Sequence, residues 1–199
     1  CYREASRRAA GRFGDFGSTV RQLRLLLAHL DGDDRALPEF VELPGIALLA
    51  GRNEPAAVFP SGEREARRQA DAFLRRNRVA IACLSGPGGE DVLFAEAALD
   101  HGAECLLILS GDDSARNPRL AAVCAHDRAT TIHPECQKTG EGDAVVEEFH
   151  DGYALGMALL KRRQLAFPLY CAWFENGLPR PETVETWNRY AVRTEGIPC

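Results

Sequence analysis

Val79-Ala-Ile-Ala-Cys-Leu-Ser-Gly-Pro-Gly-Gly-Glu-Asp-Val-Leu-Phe-Ala-Glu-Ala-Ala-Leu-Asp-His-Gly102 is the stretch whose reading decides the fold. Six apolar residues in a row suit a strand buried on both faces, the turn from Ser85 to Gly89 ends it, and a helix opens straight from that turn. Such a junction points unpaired backbone N–H groups outward at the positive end of a helix dipole. Gly86, Gly88 and Gly89 remove the side chains that would block an approaching phosphate. The turn matches neither Gly-x-Gly-x-x-Gly nor a P-loop, since no Gly-Lys-Ser/Thr follows. The expectation is a site for an anionic small molecule.

Working outward, the same alternation recurs from Gly45 onward. Strands are expected at Ile46–Ala50, Val79–Leu84, Cys105–Ser110, Thr130–His133 and Phe167–Trp173. Helices are expected near Glu63–Arg76, Asp91–His101, Pro118–Asp127, Ala144–Arg163 and Pro181–Val192. Apolar strands that each lead into a helix imply a mainly parallel five-stranded sheet in a Rossmann-like three-layer α/β/α sandwich. Ligands in such sheets sit beyond the carboxyl ends of the strands. The loops to watch are therefore 51–54, 85–90, 110–117, 134–142 and 175–179.

Residues 1–43 read differently, as a helical arm or the tail of a preceding helical domain, with residues 44–199 forming the α/β domain. Val20, Leu23, Leu26, Leu27 and Leu30 share a helical stripe, Thr19 and Gln22 have capping-box spacing, and Asp31-Gly-Asp-Asp34 stops the helix.

A net charge of −5 and a pI near 5.6 argue against a nucleic-acid or anionic-membrane surface, since both need clustered Lys and Arg. The cationic stretch Arg64 to Arg78 alternates with Ala66, Ala70, Phe73 and Leu74, as a solvated outer helix face does. No apolar run reaches the roughly 18 residues of a membrane span, and no signal peptide is visible, so the expected location is the cytoplasm. Position 1 is Cys, which suggests a segment of a longer polypeptide. Seven cysteines without a Cys-x-x-Cys suit a reducing compartment. Cys124-Ala-His126 and His133-Pro-Glu-Cys136 fit no common zinc spacing, so no metal and no cofactor are expected.

Glu96, among Leu93, Phe94, Ala97 and Leu99, needs a partner: a ligand hydroxyl, a proton to transfer, or a structural bond to a neighbouring loop. Asp91 reads as a helix cap beside the site. Gly152 and Gly156, four apart, suggest a helix packed closely on the sheet, with Tyr153 within reach of a base or sugar.

The run Gly88 to Glu104, followed by Cys105-Leu-Leu-Ile-Leu109, resembles the signature of a Rossmannoid domain of bacterial signalling proteins in the SLOG superfamily, related to the DNA-processing protein A and Lonely Guy phosphoribohydrolase folds. Leu43 to Gly51 with Phe59-Pro60, and Phe13 to Gln22 as the end of a helical region, are similar as well. Such domains are often joined to a TRAFs-binding-type helical repeat or an effector. The resemblance implies a regulatory domain that binds a nucleotide-type small molecule and signals to an attached helical-repeat or effector domain, and it leaves open a homo-oligomer. Together with the reading of the residues, it implies a ligand site made of Gly51, Arg52, Ser85, Gly86, Gly88, Gly89, Glu90, Asp91, Glu96, Ser110, Gly111 and Tyr153. In it the glycines hold phosphate, Arg52 supplies countercharge and Glu96 meets a sugar hydroxyl. The alternatives are a nucleotide N-glycosidic hydrolase in which Glu96 assists water attack, and a ligand-free interaction module.

Overall fold

The computed structural model describes residues 13–29, 42–50, 62–110, 117–134, 142–175, 181–191 and 193–198, with backbone only at 142–147, 181 and 182. Expectations on Gly51, Arg52, Gly111, Cys1, Cys136, Cys199, the acidic turn 31–34 and most of the loop residues above lie outside the described residues.

The elements run α1 (Phe13–His29), β1 (Gly45–Ala50), α2 (Glu63–Arg76), β2 (Val79–Leu84), α3 (Gly89–Asp100), β3 (Glu104–Ile108), α4 (Pro118–Cys124), β4 (Ala129–Ile132), α5 (Gly142–Leu165), β5 (Leu169–Phe174), α6 (Pro181–Asn188) and β6 (Arg193–Ile197). The strands form one parallel sheet in the order β4-β3-β2-β1-β5-β6. The α/β sandwich is as expected, with six strands rather than five.

Side chains alternate between two cores because successive strand residues point to opposite faces. Ala47, Leu49, Ala82, Leu84, Cys105 and Leu107 face α2, α3 and α4. Ile46, Leu48, Ile81, Cys83, Leu106 and Ile108 face α1, α5 and the buried Trp187 of α6. The central helix of the first layer, α3, is buried on nearly every side, which is why it is apolar all round. Its neighbour α2 turns Ala66, Ala70, Phe73 and Leu74 inward and its arginines outward. Asn117 caps α4 by accepting the N–H groups of Arg119 and Leu120 at 3.0 and 3.3 Å, with Pro118 in the first turn.

Two expectations for the helices are corrected. The first helix already includes Phe13, ahead of Thr19. Phe13 and Phe16 pack on Phe167 with ring centroids 6.1 and 5.9 Å apart, and this contact carries the helix through the supposed cap. Thr19 is interior, its Oγ1 donating to the Asp15 carbonyl at 3.1 Å. In α5, Gly152 and Gly156 face away from the sheet, with open space where a Cβ would stand. The inward-facing small residues are Ala154 and Ala158, and the close approach belongs to Gly17 of α1, where a Cβ would lie 2.8 Å from Leu165 Cα.

Candidate functional site

Strand order reverses at β1. The crossover from β1 to β2 carries α2 over one face and the crossover from β4 to β5 carries α5 over the other, so the two helical layers part above the carboxyl ends of β1, β2 and β5. The turn 85–88 emerges there from β2.

Ser85 is 4% exposed, and its hydroxyl donates to Asp151 Oδ1 at 2.5 Å. Asp151 comes from α5 and Asp91 from α3, so the end of β2 is straddled by carboxylates from opposite layers. Asp91 is completely buried, and neither of its oxygens has a hydrogen-bond partner of normal geometry. Burial above all, then the neighbouring Glu90 and Asp151 carboxylates, pushes the Asp91 carboxyl well above the ordinary carboxylate range. The amides of Asp91 itself and Gly86 pull weakly the other way. Asp91 sits in the first turn of α3, whose N-cap is Gly88 and carries no side-chain cap bond, so the capping role expected for Asp91 is not the one it has.

Gly88 has φ −62° and ψ 160°, backbone that any residue adopts. The left-handed glycines among the described residues are Gly62 and Gly102. No unusual dihedral therefore requires glycine at the turn. Gly86 and Gly88 are buried, while Gly89 is half-buried at the rim.

The other expected residues are placed unevenly. Ser110 lies half-buried just beyond β3, on the same edge of the sheet. Glu96 lies on the outer side of α3, where Arg119 of α4 grips it with Nε–Oε1 at 3.0 Å and Nη2–Oε2 at 2.7 Å. Arg119 also meets Glu63 at 2.7 Å, and Arg67 bridges Glu96 and Asp100 at 3.8 and 2.5 Å. Those carboxylates, Glu96 first, drive the Arg119 guanidinium pKa further upward. Glu96 thus ties three helices together and is not brought to the turn. Tyr153 follows Asp151 by two residues, about 200° around the helix, and stands on the solvent face beside Phe149, ring centroids 6.2 Å apart.

Asp151 is the site-edge residue that sequence reasoning missed. The signal was available: Asp151 heads the buried stripe that continues through Ala154, Ala158 and Leu165, and a carboxylate on such a stripe requires a partner.

No group of three or more His, Cys, Asp or Glu among the described residues could hold a metal ion. No helix among them is long and apolar enough to cross a membrane. A cavity of about 420 Å³ lies at the opposite edge of the sheet, between the start of α1 and the end of α5, lined in part by Asp15, Glu104, Lys161 and Gln164. It includes none of the expected site residues.

No protein-family model matches the chain, and no solved structure matches it. The chain is similar to an uncharacterized protein, y4wI, of Sinorhizobium fredii, 37% identical over 91 residues. That similarity covers 41% of this chain and 17% of the relative's length.

Proposed function

We propose that this chain is a sensor domain that binds a nucleotide or nucleotide-derived ligand over the 85–89 turn and passes its occupancy to an attached helical or effector module, as the SLOG-like signature implies. The observation that carries the reading is Asp91: a fully buried acid whose oxygens have no hydrogen-bond partner of normal geometry, at the head of a helix on the carboxyl edge of a parallel sheet. A buried carboxyl that keeps its proton donates a hydrogen bond, and the amides opening α3 donate more. Asp151, already oriented by Ser85, takes the role of accepting a sugar hydroxyl that the resemblance gave to Glu96. The N-glycosidic hydrolase alternative rests on Glu96, which Arg119 holds on the outer surface.

The test is a thermal-shift screen with nucleosides, nucleoside mono- and diphosphates, and inorganic phosphate. A ligand at a hundred times its Kd adds about 2.7 kcal/mol, a rise of roughly 5–10 °C for a chain this size. Gly89→Val, which puts a branched side chain at the rim of the turn, abolishes the shift. Asp151→Asn weakens binding about tenfold, as loss of a charged hydrogen bond does. No response to any of these ligands, or a response that both variants keep, overturns the proposal. Free base released from nucleoside monophosphates transfers the site to the hydrolase class.

A further inference from the structure

The solvent face of α5 carries a feature that neither the sheet nor the candidate site uses. Phe149, Tyr153, Gly156 and Leu160 follow one another at spacings of four, three and four, the repeat of a helix–helix seam. Phe149, Tyr153 and Leu160 are 40%, 36% and 46% exposed. Gly152 and Gly156 are exposed on the same face, and a Cβ at either would meet nothing within 4 Å. Glycine in a helix interior is destabilising relative to alanine. Among the described residues nothing approaches either glycine closely enough to require it.

Charge along the same helix is segregated. Glu148 and Asp151 lie in its first half, Lys161 just before its last turn, and Arg162 and Arg163 in that turn. Glu148 and Arg163 are both exposed and fall on the same flank of the seam. A helix that is acidic at one end and basic at the other is complementary to a reversed copy of itself. Antiparallel pairing also sets its dipole favourably.

We propose that α5 is the interface of an antiparallel, two-fold symmetric homodimer of this chain. With the axis midway between Ala154 and Leu155, Phe149 of one copy opposes the partner's Leu160, and Tyr153 covers the open space over the partner's Gly156. Glu148 then reaches toward the partner's Arg163, twice by symmetry. Large residues seat against small ones and each acidic flank meets a basic one, so the single face is self-complementary.

The test is sedimentation velocity and light scattering on the full chain from about 1 to 100 µM, the range in which a standard interface declares itself. The parent is a dimer at the upper end. Gly156→Arg gives a monomer, because the new side chain occupies the space that Tyr153 of the partner needs. Glu148→Arg and Arg163→Glu each raise the dimer Kd about tenfold, and the two together restore it to near the parent value, since only the reciprocal pair recovers opposite charge. All three positions are exposed, so the variants keep the parent's circular dichroism. A parent that is monomeric at 100 µM, a dimer that survives Gly156→Arg, or a double exchange that fails to rescue overturns the proposal.

Discussion

Asp91 has the most to lose from ionisation of any described side chain, since it is wholly buried with two acidic neighbours. Its effect on stability follows from its raised pKa. An unfolded chain releases this proton near pH 3.9, whereas the native protein keeps it to higher pH. Between those two values the unfolded state binds fewer protons, so stability falls as pH rises. Asp91→Asn removes that slope. Urea midpoints at pH 4 and pH 7 therefore draw apart in the variant's favour, by about 1.4 kcal/mol for each tenfold difference in proton affinity between the two states. Parallel pH profiles for parent and variant would exclude a buried acid at this position. Glu96→Gln, by contrast, weakens a half-exposed ion pair, costs about 1 kcal/mol or less, and leaves nucleotide-induced thermal shifts untouched. A loss of those shifts would return Glu96 to the site. The sequence told little of this difference, because both acids lie in the same apolar helix. Only the position of α4, with Arg119 at its start, decides which acid faces outward. Asp91 and Ser85 were legible from their closeness to the glycine turn; for Asp151 the buried stripe signalled the need for a partner, but that the partner is Ser85, 66 residues away in sequence, was not legible.

At the scale of elements, legibility followed apolar content. Strands β1, β2 and β3 and helix α2 were readable almost to the residue, since unbroken apolar runs and a one-sided charge stripe are compatible with few arrangements besides a buried strand and a half-buried helix. Strand β6, Arg193-Thr-Glu-Gly-Ile197, was missed because an edge strand needs only one paired side and carries charge as protection. Its Glu195 pairs with Arg76 of α2, a contact invisible to periodicity. The start of α1 was missed because Phe13 and Phe16 are recruited by Phe167, far along the chain. The joint between α1 and α5 rests on Gly17, where an added Cβ would press on the Leu165 backbone at 2.8 Å from Cα and 3.0 Å from O. Gly17→Ala gains helix propensity but forces the two helices apart, for a net loss of about 1–3 kcal/mol. Limited proteolysis then cuts within α1 well below the unfolding midpoint of the sheet. A variant as stable and as resistant as the parent would show that α1 does not depend on this contact. Just past the carboxyl end of α2, Arg78 sits at φ 48°, a conformation that costs a non-glycine residue about 1 kcal/mol. Arg78→Gly raises the urea midpoint accordingly, since the exposed pair with Glu42 contributes little. A lowered midpoint would mean that the ion pair outweighs the backbone strain.

For the molecule as a whole, the parallel sheet explains where chemistry can and cannot occur. Its carboxyl edge gathers the glycine turn, Ser85 and two buried or half-buried acids from opposite layers, while its centre is sealed by both helical layers. The cysteines report on that seal. Cys83, Cys105 and Cys171 lie in β2, β3 and β5 as free, buried thiols, and burial pushes each up to about 12. Thiolate is the reactive form, so at about pH 7.5 these three are protected twice, by lack of access and by lack of ionisation. Cys124, half-buried at the end of α4, is shifted upward for the same reason but has partial access to solvent. A sheet that opens as one cooperative body exposes its three thiols together. Alkylation of the native protein, followed by peptide mass mapping, labels Cys124 early. Cys83, Cys105 and Cys171 follow late with one shared rate, and that rate climbs with urea in step with the global unfolding rate. Distinct rates for the three would divide the sheet into separately opening parts, and labelling of any of them as fast as Cys124 would breach the sealed centre on which the placement of the site depends.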